Sequence, residues 1–326
     1  MARRGEFQLI AEAFAPLAKG DPLAFGLGDD VALVAPRPGE HLVATNDAMV
    51  RGVHFFRDGD PGDVGRKLLR VNLSDLACKG AEPLAYLLTV ALPPDLTDGW
   101  LDAFAAGLGD DQKRYGIHLI GGDTTKSELD LVLSVTMLGS APAETLLRRN
   151  GAKVGDRIYV SGTIGDARLG FLLARGKLPE ASTEDAQFLR GRLDRPSPRL
   201  KLGRRLRGIA NSAMDVSDGL LADLGHICEQ SQVGAELSLA AVPFSDAARR
   251  VIHVHEEEQK SIITFGDDYE ILFTAPPDKG SVIAAIGDEL GVPLTVIGTI
   301  VSGGPVTVRD ASGAVVPFAQ AGYTHF

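Results

Sequence analysis

The chain has 326 residues, a formal net charge of -10 at pH 7, 44% hydrophobic residues and 23% charged ones. These values exclude a disordered chain and a membrane protein, and the acidity argues against a nucleic-acid partner, which would need basic surface to hold a phosphate backbone. The length exceeds one ordinary core and predicts two domains, while Cys78 and Cys228 match no metal-ligand spacing and read as buried thiols of a reducing, cytoplasmic compartment.

In chain order, Arg3 and Arg4 precede an apolar stretch, but Glu6 and Glu12 interrupt it. Phe7, Ile10, Ala11 and Phe14 recur at helical spacing, so an amphipathic helix is expected rather than a targeting segment. From Gly26 to Asp47 the sequence reads as a hairpin. Val31–Ala35 and Leu42–Thr45 are short apolar runs, and Arg37-Pro38-Gly39-Glu40 supplies a type II turn. That turn would set Asp30 opposite Asp47, two like charges about 5 Å apart that either share a proton or hold a cation. With Asp29 adjacent and Gly26 and Gly28 opening the backbone, a cation fits, although strand-end aspartates also serve as turn caps.

Pro61-Gly62-Asp63 then predicts the start of a helix running to about Lys79, with Val64, Leu68, Leu69, Leu73 and Leu76 on its apolar face. Asn72 and Asp75 share the face of Leu68 and suit either a functional site or a satisfied core network. A strand is expected at Tyr86–Leu92 and a helix from Thr97 to Tyr115. Ile117–Ile120 then delivers the chain into Gly121-Gly122-Asp123-Thr124-Thr125, where two glycines before an acid allow close approach to a ligand or simply a turn. The strand Leu129–Leu138 is expected to close the first domain. Runs such as Leu87–Leu92 fall far short of the roughly 20 residues of a membrane span.

In the second half, Ile158–Ser161 runs into Gly162-Thr163-Ile164-Gly165-Asp166 and a helix, a junction resembling a phosphate cradle without a full glycine motif. The stretch Pro179–Pro198 reads as solvent-facing with one short helix. Met214-Asp215-Val216-Ser217-Asp218-Gly219 leads into a helix carrying Leu220, Leu221, Leu224, Ile227 and Cys228, and it echoes Val71–Leu76 in a possible duplication. Gly266-Asp267-Asp268-Tyr269-Glu270 precedes a strand at Ile271–Thr274. His253 and His255 lack zinc spacing.

Asp30, Asp47, Asp75, Asp123, Asp215 and Asp218 are thus expected at strand ends or helix starts beside small residues. Carboxylates without His or Cys select a hard cation such as Mg²⁺, and several such ions would let a triphosphate enter an acidic protein.

The blocks GLGDDVA (26–32), TNDAMVRGVHF (45–55), VNLSDLACKGA (71–81), IGGDTT (120–125), RNGAKVGDRIYVSGTIGD (149–166), MDVSDGL (214–220), GDDYEILF (266–273) and the GYTHF end span nearly the whole chain. In order and spacing they resemble the thiamine-monophosphate kinases, of the superfamily that includes aminoimidazole ribonucleotide synthetase. The resemblance implies transfer of the γ-phosphoryl group of ATP to thiamine monophosphate, giving thiamine diphosphate. Carried over by position, Mg²⁺ would sit on Asp30, Thr45, Asp47, Asp75, Asp123, Asp215 and Asp218, with Asn46 as a main-chain ligand where Thr is common. ATP would also meet Gly122, Asp123, Arg149 and Ser217, and the thiamine phosphate His54, Asp267 and Tyr323.

Two further departures stand out: Asp267 is one methylene shorter than the usual Glu, and Ala105 replaces an aromatic near the adenine. No residue is expected to act as nucleophile or general base, because a phosphate acceptor is already mostly ionised at neutral pH. The implied architecture is an α+β, two-domain synthetase-like fold. Residues 1–147 would form a mixed sheet with helices on one face that pairs across a homodimer and binds metal and ATP. Residues 148–326 would form a larger α+β domain that completes the site. The alternatives are an aminoimidazole ribonucleotide synthetase-type enzyme and a non-catalytic nucleotide- or cation-binding regulator.

Overall fold

The computed structural model describes residues 4–19, 21–27, 31–178, 181–255 and 258–323. The chain divides into two compact units, residues 1–76 with 81–144 and residues 77–80 with 145–326.

In the first unit, a short helix α1 (Glu6–Leu9) continues as π and 3-10 turns to Ala18. The expected helical spacing is there, with a different buried face. Leu9, Ala13, Phe14, Leu17 and Ala18 are inside, and Phe7 is 83% exposed. Next come β1 (His41–Val50), α2 (Pro61–Cys78), β2 (Glu82–Leu92), α3 (Asp98–Tyr115), β3 (His118–Lys126) and β4 (Val132–Ala141). The last two residues of α2 fall in the second unit.

The helices start and stop where their caps dictate. Asp60 Oδ1 accepts the Asp63 amide at 2.9 Å, with Pro61 at the first helical position of α2, where its missing N–H costs nothing. In α3, Thr97 Oγ1 accepts the Trp100 amide and Gly116 ends the helix at φ 67°. The leucines expected on α2 are all buried. The two helices meet through glycines: a Cβ on Gly107 would lie 2.0 Å from the Gly62 carbonyl, and one on Gly65 2.6 Å from that of Phe104.

The sheet order is β1-β4-β2-β3, antiparallel except for the β2/β3 pair that α3 connects. On β4, Leu133, Val135 and Met137 are fully buried while the intervening residues are half-buried, so one face of the sheet carries the core.

The expected hairpin does not form. Its turn does, with the Glu40 amide on the Arg37 carbonyl at 3.0 Å and Gly39 at φ 80°. Residues 31–35 are not a strand, however, and β1 pairs with β4, which puts Asp47 opposite Val135. An unprimed turn splays its flanks, and a ten-residue ladder to β4 outweighs a four-residue hairpin. Asp30 lies outside the described residues.

The second unit contains β5 (Arg157–Ser161), α4 (Asp166–Ala174), α5 (Thr183–Asp194), α6 (Leu200–Leu206), β6 (Ser212–Asp215), α7 (Leu220–Ser231), β7 (Gly234–Ser238), α8 (Asp246–Val254), α9 (Glu258–Ser261), β8 (Ile271–Ala275), α10 (Gly280–Leu290), β9 (Leu294–Val301) and β10 (Val306–Arg309). Its six-stranded mixed sheet runs β10-β7-β9-β5-β8-β6. One core joins Leu220, Leu224 and Ile227 of α7 to Ile158 and Val160 of β5; another surrounds Phe273 and Tyr159, whose rings stack at 5.0 Å.

Three expectations change here. The stretch before Pro198 is not solvent-facing throughout: Leu189 and Leu193 of α5 are buried, and a Cβ on Gly170 of α4 would meet the Leu189 carbonyl at 2.4 Å. Pro179 itself lies outside the described residues. The sequence echo is not structural, because residues 71–76 are helix interior and 214–219 are a strand end and loop. The junction at Gly162–Asp166 holds no open phosphate cradle, since Asp268 Oδ2 and Oδ1 already accept the Gly165 and Ala167 amides at 2.7 and 3.2 Å.

Candidate functional site

In the first unit, β1 and α2 hold their polar groups together through side chains. Thr45 Oγ1 donates to Asp75 Oδ2, and the Asp47 amide donates to Asn72 Oδ1 at 3.1 Å. Asn72 is fully buried, and its own amide is fixed on the Leu68 carbonyl at 2.9 Å. It is therefore the satisfied core network that the sequence allowed, with Asp75 and Asp47 standing at its edge. Asp47 lies inside β1, Asp75 near the end of α2 and Asp123 inside β3, not at strand ends or helix starts as expected.

Asn46 turns its side chain to β4, donating to the Val135 carbonyl at 3.1 Å and to Thr136 Oγ1 at 2.9 Å. These bonds use its amide nitrogen as donor. In the turn after β1, His54 Nδ1 accepts the Val50 amide at 3.0 Å, which places the proton of a neutral ring on Nε2; Lys67 Nζ holds the His54 carbonyl at 3.1 Å.

Gly122 and Asp123 sit on β3, at the far edge of the sheet from β1 and three strand spacings or about 14 Å away. The strand does not turn at the glycines; it continues to Lys126 with a bulge. Gly122 has no room for a side chain, because a Cβ would lie 1.8 Å from the Leu88 carbonyl. A cavity of about 490 Å³ opens beside it, lined among others by Ile10, Phe14, Leu87, Thr89, Gly122 and Asp123. Ala105 is buried within α3.

In the second unit the candidate residues are joined by backbone. The loop from Val216 to Gly219 turns its amides inward: those of Ser217, Asp218 and Gly219 all donate to Asp223 Oδ2, at 3.0, 3.1 and 3.1 Å. Its carbonyls face the other way. Val216 accepts the Tyr269 amide at 2.9 Å, Ser217 the Asp267 amide at 3.0 Å and Asp218 the Tyr323 amide at 2.9 Å. Asp215, Ser217, Asp218, Asp267 and Tyr323 are thus brought to one place. Cys78 Sγ lies 3.9 Å from Asp215 Oδ1. Arg149 is exposed beside the start of β6, where the neighbouring Arg148 carbonyl accepts the Ala213 amide at 2.8 Å.

The Gly266–Glu270 segment alternates. Asp268 and Glu270 are buried, while Asp267 and Tyr269 are half-buried and held at φ 69° and 51°, a region side-chain-bearing residues seldom adopt. Tyr269 Oη donates to Asp267 Oδ1 at 3.2 Å. Glu270 accepts from Arg192 at 2.8 Å, Arg199 Nε at 2.7 Å and Ser161 Oγ at 2.6 Å. Burial, with the Asp166 charge, holds the Asp268 carboxyl well above the usual range against its two backbone amides and Arg192.

Sequence reasoning missed Asp223. Burial pushes its carboxyl well above the ordinary value, and the Asp215 and Asp218 charges add to that. The signal was present: an acid inside the apolar stripe Leu220, Leu224, Ile227, in the first turn of a helix, where only backbone amides can satisfy it.

Among the described residues no three His, Cys, Asp or Glu side chains form a ready-made metal cage. The donor set still fits Mg²⁺, which takes one or two carboxylates and fills its remaining positions with water and substrate phosphate. Asp223 Oδ1 is buried and, among the described residues, has no hydrogen-bond partner.

Two family models match the chain, both described as AIR synthase related protein: the N-terminal domain over residues 28–141 and the C-terminal domain over 153–311. Fold and site together define an AIR synthase related chain. The thiamine-monophosphate kinase of Escherichia coli strain K12 is 42% identical over 99% of this chain and 98% of its own. A crystal structure of thiamine-monophosphate kinase from Stenotrophomonas maltophilia superposes with a TM-score of 0.84 at 42% identity, over 96% of this chain and 98% of that one. A structure described as AaThiL complexed with AMPPCP and TMP gives 0.79 at 30% identity, over 99% and 97%. The chain belongs to the thiamine-monophosphate kinase family.

Proposed function

We propose that this chain catalyses ATP-dependent phosphorylation of thiamine monophosphate to thiamine diphosphate, by direct in-line transfer of the γ-phosphoryl group. The observation that carries the reading is the Val216–Gly219 loop, which follows Asp215 and ties Ser217 and Asp218 to the backbone of Asp267 and Tyr323. Groups suited to a metal–triphosphate and groups suited to a second substrate are linked there by single hydrogen bonds. Relatives of the same family along nearly the full length, one of them solved with AMPPCP and TMP, support the same reading.

Several Mg²⁺ ions, when bound, would neutralise the phosphates of donor and acceptor so that two anions can approach. The chain's part is to hold and orient. Asp47 and Asp75, braced by Asn72 and Thr45, offer oxygens from the first unit, with Asp30, Asp123 and the Asn46 main chain as further ligands. Asp215 and Asp218 offer oxygens from the second. Gly122, which allows close backbone approach, Arg149 and Ser217 would meet ATP. His54, whose Nδ1 accepts the Val50 amide, would meet thiamine phosphate together with Asp267 and Tyr323. No general base is needed, because the acceptor phosphate is already ionised.

No described helix is long and apolar enough to cross a membrane. A cytoplasmic location is part of the proposal, as is a homodimer. Among the described residues β1 is an edge strand of the first sheet, with Leu42 46% exposed, a surface that pairing with a second copy would cover. The domain roles, residues 1–147 for metal and ATP and 148–326 for completing the site, belong to the same reading.

The decisive test is ADP release that depends on thiamine monophosphate and is absent with other phosphate acceptors; acceptor-independent release would overturn the proposal. Chelation of divalent ions is expected to abolish turnover and excess Mg²⁺ to restore it. Metal-independent turnover would exclude the metal-assisted scheme.

A further inference from the structure

The geometry points to Asp223 as the positioning residue that sets the separation of the two substrate-holding parts of the second unit, by fixing the Val216–Gly219 loop from behind. This rests on the proposed function for its biochemical meaning, though not for its structural content.

One oxygen of Asp223, Oδ2, accepts three successive amides of the loop, and the residue is fully buried. A helix-capping acid ordinarily satisfies one or two amides and faces water with its other oxygen. Here the other oxygen, Oδ1, is buried and has no hydrogen-bond partner among the described residues. A cap alone gains little from a buried acceptor left unsatisfied, so the arrangement makes sense through what it holds in place.

With all three amides committed inward, the loop's carbonyls are directed at Tyr269, Asp267 and Tyr323. No slack remains on that side. A Cβ on Gly266 would lie 1.6 Å from the Ser217 carbonyl, and one on Gly322 would lie 2.8 Å from the Asp218 carbonyl. Gly219, at φ 128°, would put a Cβ 2.8 Å from the Thr264 backbone. Loop, Gly266–Glu270 segment and Gly322–Tyr323 are therefore in backbone contact, and Asp223 is the side chain that accepts the loop's inward amides. Its carboxylate touches neither Asp267 nor Tyr323, yet a shift of Oδ2 would move the loop carbonyls that both of their amides hold.

The test uses two substitutions in the full-length protein. Asp223→Asn keeps an oxygen for the three amides, and Asp223→Ala keeps none. Hydrogen exchange in the ligand-free protein, followed over residues 214–220, 264–270 and 320–323, is expected to rise about tenfold or more in all three segments for Asp223→Ala and to stay near wild type for Asp223→Asn. In kinetics, Asp223→Ala should raise KM for thiamine monophosphate and the Mg²⁺ concentration needed for half-maximal rate together, with Asp223→Asn restoring both.

Three outcomes overturn the inference. The first is a rise in exchange in 214–220 alone, the mark of a simple helix cap. The second is an Asp223→Asn loop as loose as that of Asp223→Ala, which also decides the matter if Asp223→Ala does not fold. The third is Asp223→Ala folding with unchanged kinetics in an enzyme that does turn over thiamine monophosphate. If the wild-type protein lacks that turnover, the proposed function fails while the exchange data still decide the role of Asp223.

Discussion

The two units hold their candidate residues by opposite means. On β1 and α2, Asp47 and Asp75 sit on regular elements, and side chains brace them: Thr45 on Asp75, Asn72 on the Asp47 backbone. In the second unit, Asp215, Ser217 and Asp218 lie at a strand end and in a loop with little regular structure of its own. That loop is held by backbone hydrogen bonds and by buried acids behind it, Asp223 under its amides and Asp268 and Glu270 under the neighbouring segment. A carboxylate on a helix or strand can lose its charge while its scaffold survives, whereas a loop without its anchors loses position. Substitutions in the first unit should accordingly be read in kcat, and substitutions of the anchors in stability.

The largest effect is expected for Glu270→Gln. It removes the charge facing Arg192 and Arg199, and breaking a buried charged network of this kind costs about 3–5 kcal/mol, measurable as a lower denaturant midpoint. A midpoint near wild type would break the contrast from the second unit's side. Next, Asp47→Asn or Asp75→Asn should lower kcat by at least ~10² with the fold intact, by analogy with other lost charge-stabilising groups. Near wild-type turnover at saturating Mg²⁺, or unfolding comparable to Glu270→Gln, would break it from the first.

Asn72→Ala should lie between the two behaviours. It removes the side-chain acceptor of the part-buried Asp47 amide and costs about 1–3 kcal/mol of stability, with a smaller fall in kcat than Asp47→Asn, so thermal melts and turnover on one preparation locate the residue. Thr45→Val is expected to be the mildest, about 0.5–1.5 kcal/mol for one hydrogen bond to Asp75, and a larger loss in kcat than in stability would assign its hydroxyl a direct role.

Much of this was legible because it is local. The stripe Val64, Leu68, Leu69, Leu73, Leu76 recurs with the helical period and is buried as a whole, and Thr97 and Gly116 mark the ends of α3 by their chemistry. Strand pairing was not legible in the same way. The partner of β1 is β4, some ninety residues on, and nothing near Asp47 distinguishes that ladder from a hairpin with residues 31–35. Phe7 failed for a related reason: periodicity names a stripe, and only the tertiary neighbours choose which side is covered.

The candidate site divides along the same line. Asp215, Ser217 and Asp218 stood out as a cluster in sequence. Their connection to Tyr323, a hundred residues later, is made through amides and carbonyls that every residue possesses. Asp223 was visible as an acid in an apolar stripe but not as the acceptor of three amides, because that depends on the conformation of the loop before α7, where Gly219 sits at φ 128°.

The alternation in Gly266–Glu270 has a consequence for how this enzyme class can change over generations. Asp268 and Glu270 supply the attachment, and Asp267 and Tyr269 supply the face presented outward. An exchange of acid at position 267 alters reach without touching the fastenings on either side. A change of carboxylate length at that position then leaves the mounting of the segment, through Asp268 and Glu270, unchanged.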